Sequence, residues 1–202
     1  ALSHDLKTPL TRMRLRAELL DDDELREKLE ADLTEMQGMV QQTLDFMRGL
    51  NHGEPHAPVD VDALLAGLQA DQAALGRTLA IDGRTRGPWT GSASLLRRCL
   101  GNLVDNAAQY GGRATVRIED TPAQLTLHVL DEGPGIPEAE LERVFEPFYR
   151  LEASRSRATG GTGLGLGIAR NIARGFGGEL LLRNRPEGGL DAVLTLPRAA
   201  KD

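Results

Sequence analysis

Apolar side chains recur at Leu2, Leu6, Leu10, Met13, Ala17 and Leu20, and again at Leu25, Leu29, Leu33, Met36, Val40, Leu44 and Met47. Spacings of three and four place each set on one helix face, in the heptad-like stripe of helices that pack along a narrow seam. Asp21-Asp22-Asp23-Glu24 interrupts the pattern. It reads as a solvated turn whose carboxylates cap and favour the positive N-terminus of the second helix. Residues 1–50 are therefore expected to form a helical hairpin. Two helices bury too little surface to satisfy both stripes, and a dimer closing a four-helix bundle is the natural completion. Asn51-His52-Gly53-Glu54-Pro55-His56-Ala57-Pro58 then breaks all periodicity, and 51–58 reads as a linker. His52 and His56 stand four apart, but Pro55 between them argues against a metal-binding helix face.

Beyond the linker the period changes repeatedly between helical and alternating. Helices are expected at about 61–75, 92–109 and 163–176, and strands near 78–82, 114–119, 124–130, 179–184 and 190–196. Asp120-Thr121-Pro122 and Glu187-Gly188-Gly189 supply hairpin turns. Strands joined by short hairpins and mixed with helices predict an α+β fold over 59–202, a two-layer sandwich with helices on one sheet face. No internal repeat or low-complexity tract is present.

Composition narrows the class. Aromatics are only 3% of the 202 residues, so packing must rest on Leu, Ala, Val and Ile. A formal charge of -6 argues against nucleic acid or an anionic membrane surface as partner, since both select a basic footprint. Cys99 is the only cysteine, so no internal disulfide can form and no zinc spacing exists; the chain suits a reducing cytosol, with Cys99 as a small core residue. No apolar run approaches the roughly 20 residues that span a bilayer, and no signal-peptide pattern is present. The chain opens without Met, on Ala1-Leu2-Ser3 inside a helical pattern. It is expected to be a fragment of a longer protein.

Five stretches carry chemistry. Ser3-His4-Asp5-Leu6-Lys7-Thr8-Pro9-Leu10-Thr11 puts an imidazole, a carboxylate and a hydroxyl within five positions of a helix. Alone, it is equally a solvated polar face. In Asn102-Leu103-Val104-Asp105-Asn106-Ala107-Ala108-Gln109-Tyr110-Gly111, Asn102 and Asn106 are one turn apart with Asp105 alongside. Their hard oxygens suit Mg²⁺ shared with phosphate, or simply water. Asp131-Glu132-Gly133-Pro134-Gly135-Ile136-Pro137 follows an alternating strand. Its glycines permit close approach of a flat ligand and Asp131 can accept from an exocyclic amine, although a Gly/Pro turn with a capping Asp has the same composition.

Gly160-Gly161-Thr162-Gly163-Leu164-Gly165-Leu166-Gly167 runs into a helix, so its free backbone N–H groups would form an anion site suited to polyphosphate. It has neither the P-loop Gly-Lys-Ser/Thr nor Rossmann spacing, and a flexible linker is the competing reading. Before it, Val144-Phe145-Glu146-Pro147-Phe148-Tyr149-Arg150 concentrates two of the four phenylalanines ahead of a Ser-, Ala- and Arg-rich stretch. That composition suits a lid over an anionic ligand, or a surface loop with solvated arginines.

The last four stretches, taken in chain order as 102–111, 131–137, 144–150 and 160–167, resemble in order and spacing the N, G1, F and G2 boxes of the histidine-kinase catalytic domain, and residues 3–11 resemble the H box of its dimerisation and phosphotransfer domain. The match spans nearly the whole chain, and the H box is most similar to that of osmosensing transmembrane sensor kinases. The resemblance implies a helical hairpin followed by a sandwich of the Bergerat (GHKL) type. It implies His4 as phosphoryl acceptor, Asp5 as the carboxylate that orients the imidazole and takes its proton, and Thr8 as the group placing water for phosphatase action. It further implies ATP and Mg²⁺ as cofactors, with Asn102 on the metal and Asn106 on the phosphate and metal region. Asp131 would hold the adenine amine, with Gly133, Gly135 and Ile136 lining the base pocket and Tyr110 against the base. Gly161, Thr162, Gly163, Leu164 and Gly165 would close on the phosphates, with Arg150 as the lid cation. Gln109 departs from the Lys or Arg that relatives often carry, which would weaken ATP binding unless a lid arginine replaces it.

Expected partners are a second copy of the chain and the receiver domain of a response regulator, without nucleic acid or direct membrane contact. The fragment would be the cytoplasmic portion of a bacterial inner-membrane sensor. A degenerate kinase acting as a nucleotide-binding scaffold, or an ATPase of the superfamily that includes gyrase and MutL, are the alternatives.

Overall fold

The computed structural model describes residues 9, 11–13, 15–19, 22–48, 56–151 and 162–198. They fall into two units, Ala1–Arg48 and Gly49–Asp202. In the first, residues 11–13 and 15–17 are helical and α1 runs Asp23–Arg48. The acidic run starts α1 as its charge pattern predicts. Asp22 Oδ1 accepts from Leu25 N at 3.0 Å, and Asp23 and Glu24 pair with Arg26 and Lys28 one turn on. Ala17 and Leu33 bury each other, whereas Met13, Leu15, Leu19, Leu25, Leu29 and Met36 stay substantially exposed.

The second unit orders its elements as β1 (Ala57–Val59), α2 (Val61–Ala74), β2 (Thr78–Asp82), β3 (Trp89–Gly91), α3 (Ala93–Gly111), β4 (Arg113–Asp120), β5 (Gln124–Asp131), two short 3₁₀ turns at Glu138–Glu140 and Arg143–Phe145, α4 (Gly165–Gly175), β6 (Glu179–Asn184) and β7 (Leu190–Pro197). Five strands form one sheet in the order β2-β4-β5-β7-β6. β2 runs parallel to β4 and the other neighbours are antiparallel. Alternation sets the faces. Ala114, Val116 and Ile118 of β4, Leu125, Leu127 and Val129 of β5, and Leu194 and Leu196 of β7 are buried, as are Leu65 and Leu68 of α2, Leu96, Leu100 and Leu103 of α3, and Ile168 and Ile172 of α4. These helices and strands are the two layers of an α/β sandwich. Asp60 and Ser92 cap α2 and α3 by accepting from Ala63 N at 2.9 Å and Leu95 N at 3.2 Å. Gly112, at φ 73°, ends α3 in the left-handed conformation.

Two features depart from the sequence pattern. β1 and β3 pair antiparallel as a separate two-stranded sheet, and β1 takes in Ala57 and Pro58 from the stretch read as linker. Three-residue strands carry too little alternation to register. What holds this pair is Trp89, which is buried, meets Phe176 edge-on at 4.8 Å and donates Nε1–H to the Pro197 carbonyl at 3.0 Å. The last helix starts at Gly165 rather than 163, because Gly163 has φ 72°.

Two buried polar groups lock the sandwich. The Asp120 side chain is buried beneath Arg198, whose Nη2 and Nε reach it at 2.6 and 2.7 Å, while Arg86 N donates to it at 2.7 Å. Burial pushes the Asp120 pKa up, but the hydrogen bonds and charges of Arg198 and Arg86 outweigh it and leave it below the ordinary carboxylate value. Cys99 packs between α3 and α4 with Sγ 3.5 Å from the Ala169 carbonyl, and burial raises its pKa to about 12.

Candidate functional site

α3 presents different groups to different neighbours. Leu100, Leu103, Val104 and Ala107 are buried against the core, and Asn102 and Asn106 lie at half-buried positions one turn apart. The Asn102 side chain sits 3.9 Å from where a Cβ on Gly165 would stand, at the first residue of α4. Its amide nitrogen is buried and has no hydrogen-bond partner among the described residues. Such a group is retained against a cost of about 1–3 kcal/mol. An amide left unspent between two helix segments fits a ligand-holding role. Asp105 turns elsewhere: Gln72 Nε2 donates to it at 2.8 Å and Arg77 approaches to 3.7 Å. It joins α3 to α2 and the start of β2.

The C-terminal end of α3 abuts the loop after β5. A Cβ on Gly111 would lie 2.7 Å from Asp131 Cβ and 2.8 Å from Glu132 N, so only glycine fits this approach. A Cβ on Gly133 would lie 3.0 Å from the Tyr110 carbonyl, and the Tyr110 side chain is partly exposed beside this junction. Asp131, the last residue of β5, is buried. Its Oδ1 accepts from Gly133 N at 2.7 Å and Leu190 N at 3.0 Å. Oδ2 makes no hydrogen bond among the described residues. The carboxylate is thus held by one oxygen with the other available to an incoming N–H donor. Gly135 takes φ 74°, and both backbone polar groups of the next residue are gripped by Asn184, which accepts from Ile136 N at 2.8 Å and donates to Ile136 O at 2.7 Å.

Among the described residues nothing caps the start of α4 with a side chain and its first turn holds no acidic residue, an arrangement suited to an anion at its backbone N–H groups. Leu164 is buried beneath it. The backbone at Gly163 crosses that of Phe148 and Tyr149 so closely that a Cβ there would stand 2.8 Å from Phe148 C. Phe148 N donates to Gly163 O at 3.0 Å, with Phe148 itself at φ 64°. Phe145 is buried under the Arg170 guanidinium at 4.2 Å, and Arg170 also pairs with Glu142 at 2.7 Å and Glu179 at 3.3 Å. Burial favours the neutral form of Arg170, but these two carboxylates outweigh it and hold its pKa above the usual value. Arg143 stacks on Tyr149 at 4.5 Å, and the Tyr149 hydroxyl donates to Glu140.

The structure thus brings Asn102 to Gly165, and Tyr110 and Gly111 to Asp131 and Gly133. Gln109 is exposed on α3 next to Tyr110, and Arg150 and Thr162 are half-buried near the crossing of Phe148 and Gly163. His4, Asp5, Thr8 and Gly161 lie outside the described residues. Among the described residues no cluster of three or more His, Cys, Asp or Glu side chains could hold a metal, so an ion here needs amide and ligand oxygens. Asn184, Arg185 and Leu190 are contributors that the sequence pattern does not reveal. The only local signal is Gly188-Gly189, whose close approach to another backbone is a common reason for paired glycines.

Residues 91–200 match the family model described as "Histidine kinase-, DNA gyrase B-, and HSP90-like ATPase", and residues 1–51 match "His Kinase A (phospho-acceptor) domain". The sensor histidine kinase GtrS of Pseudomonas aeruginosa is 48% identical over 198 residues, covering 98% of this chain and 41% of GtrS. The sensor protein RstB of Escherichia coli is 34% identical over 189 residues, 89% of this chain and 43% of RstB. The chain therefore spans less than half the length of these relatives. Among solved structures, full-length ShkA in complex with AMPPNP superposes with a TM-score of 0.73 at 26% identity, covering 99% of this chain and 45% of ShkA. With a phospho-acceptor match at one end and an ATPase match over more than half its length, the chain belongs to the sensor histidine kinases.

Proposed function

We propose that this chain transfers the γ-phosphoryl group of ATP to His4 and then to an aspartate on the receiver domain of a response regulator. The observation that carries the nucleotide half is Asp131, a buried carboxylate with Oδ1 fixed by two backbone N–H groups and Oδ2 left to an amine such as that of adenine. The AMPPNP complex of ShkA supports an adenine nucleotide. Asn102 would hold Mg²⁺, whose positive charge, when bound, neutralises the triphosphate. Asn106 and the open N–H groups at 163–165 would take phosphate oxygens, with Gly161 and Thr162 beside them and Arg150 supplying a cation.

At the acceptor, a ring nitrogen of neutral His4 forms the bond to the γ-phosphorus as the bond to the β–γ bridging oxygen breaks and ADP leaves. Asp5 holds the other ring nitrogen and takes its proton. The phosphoryl group then passes to the partner's carboxylate and His4 is restored. Thr8, four positions after His4, would place the water that removes phosphate from that aspartate. The exposed apolar side chains of the first unit, Leu19 at 81% above all, support a second copy as the dimer partner. No helix among the described residues is long and apolar enough to cross a membrane. The proposed setting is the cytoplasmic portion of a membrane-anchored sensor.

Labelled ATP with Mg²⁺ should give acid-labile, alkali-stable label on the chain that is absent from His4→Gln; label surviving that substitution refutes the acceptor. Thr8→Ala should keep autophosphorylation and lose dephosphorylation of the receiver domain. Gln109, neutral where a cation is common in the family, favours one second reading, a nucleotide-binding scaffold without turnover. ADP binding by calorimetry with no label on His4 would support it.

A further inference from the structure

The loop that carries Asp131, Gly133 and Gly135 is glycine-rich and would by itself sample many conformations. Its order comes largely from the turn between β6 and β7, at the far edge of the sheet. Asn184 grips the Ile136 backbone on both sides of its Cα, accepting from Ile136 N at 2.8 Å and donating to Ile136 O at 2.7 Å. The grip needs Gly135, since a Cβ there would lie 2.6 Å from Asn184 Oδ1. Arg185 Nη1 donates to the Asp131 carbonyl at 2.7 Å, and its Nη2 is held by Glu187 at 2.7 Å. Leu190 N donates to Asp131 Oδ1 at 3.0 Å. Gly189 presses against the same residue, where a Cβ would come within 2.0 Å of Asp131 O. The turn therefore fixes the backbone carbonyl and one carboxylate oxygen of Asp131, and separately the peptide after Gly135. Its own shape is set by Gly188 and Gly189 at φ 96° and 92°, with Arg185 N on Gly189 O at 3.0 Å.

We infer that the β6–β7 turn, acting through Asn184 and Arg185, is the positioning element of the nucleotide-base site. This rests on the reading that Asp131 receives the adenine amine. Neither side chain is assigned to the base itself; their contacts are to Ile136, Asp131 and Glu187. Each sets where Asp131 Oδ2 and the Gly133–Ile136 backbone stand before the nucleotide arrives, which is preorganisation of a binding site. Losing it should weaken nucleotide affinity while leaving the transfer step at saturation largely intact, because the phosphate end is held by other elements.

The test measures ADP affinity and stoichiometry by calorimetry, and the ATP dependence of His4 phosphorylation, for the parent, Asn184→Ala, the isosteric Asn184→Asp, Asp131→Asn and Arg183→Ala. Asn184→Asp keeps the shape but replaces the donor to Ile136 O by an oxygen, so it tests the grip even if the alanine variant folds poorly. Both Asn184 variants should raise the Kd for ADP and the KM for ATP about tenfold, the loss of one or two hydrogen bonds. The stoichiometry and the rate at saturating ATP should stay within roughly twofold of the parent. Arg183→Ala, exposed one residue earlier in β6, should bind as the parent does. Unchanged Kd in both Asn184 variants, or a loss seen only as lowered stoichiometry, overturns the positioning role while weakened binding by Asp131→Asn leaves the base-site reading standing. A parent that does not bind ADP, or Asp131→Asn binding as tightly as the parent, overturns the base-site reading and this inference with it.

Discussion

Gly111 and Gly101 lie ten residues apart in α3, and the same substitution to alanine should move the protein in opposite directions. Both have helical backbone, so alanine contributes up to about 1 kcal/mol through helix propensity at each. At Gly101 nothing opposes this, since the nearest atom to a new Cβ is Leu68 Cδ2 at 4.0 Å, an ordinary contact. Gly101→Ala should therefore raise the melting temperature by about 3 °C and leave ADP binding alone. At Gly111 the new Cβ meets Asp131 Cβ at 2.7 Å and Glu132 N at 2.8 Å. Carbon–carbon contact becomes comfortable near 3.5 Å, so α3 and the loop must separate by roughly 0.8 Å. The neighbours are backbone or directly attached to it and cannot rotate away. Overpacking of this kind costs about 1–3 kcal/mol, which exceeds a propensity gain reduced further at the helix end. The displacement falls on Asp131, whose 3.0 Å bond from Leu190 N would lengthen beyond hydrogen-bond range. Gly111→Ala should thus lose up to about 2 kcal/mol of stability and weaken ADP at least tenfold. Thermal unfolding and calorimetry on the two variants decide the matter. A Gly111→Ala protein as stable as the parent, with parental ADP affinity, would show that the loop moves freely and that the close approach has no functional consequence.

Arg198→Met leaves Asp120 buried without its cation and should cost about 3–5 kcal/mol in denaturant unfolding. The folded pKa of Asp120 lies below its unfolded value of about 3.9, so this stabilisation is complete above that value and is lost as pH falls through the folded pKa; Asp120→Asn should flatten that acid limb, and an unchanged limb would assign it to other carboxylates. Cys99, buried and raised to about 12, should resist thiol reagents at neutral pH until the protein unfolds, whereas rapid labelling of the folded protein would contradict its placement between α3 and α4.

Legibility in the sequence followed the range of the interactions involved. β2 and β6 occupy 78–82 and 179–184 as alternation predicts, because period two over five or six residues records a half-buried face. α4 begins two residues late because one positive φ at Gly163 overrides a pattern that continues through it. β1 and β3 escaped because their cause is distant: Trp89 is held by Phe176 and Pro197, about a hundred residues further along. The site divides in the same way. Asp131, Gly133 and Gly135 announce themselves by spacing, but Asn184 is one polar residue at a strand end. Its partner, the Ile136 peptide, is 48 positions away, and backbone atoms leave no mark on residue identity. Asp105 shows the converse. One turn and three positions read as a shared chemical face, yet Asp105 is committed to Gln72 and Arg77, so adjacency on a helix did not mean adjacency in the site.

The division of labour on α3 explains how a buried amide can be kept unspent. An unpaired amide nitrogen between two helices would ordinarily drive its side chain toward water or draw the helices into a new contact, at a gain of about 1–3 kcal/mol. Asn102 takes neither escape. Leu100, Leu103, Val104 and Ala107 fix the rotation of α3 against the core, and Gln72 with Arg77 fixes it from the side through Asp105. Cys99 at 3.5 Å from Ala169 O fixes its distance from α4 one turn before Asn102. Apolar packing and neighbouring polar pairs thus over-determine the helix, and the amide inherits a position that its own interactions do not favour. The same scheme operates at Asp131, held through Oδ1 by groups that need nothing from a ligand. Asn102 and Asp131 are therefore both held in place by groups other than a ligand, so loosening either support should show first as lost affinity and only later as lost rate.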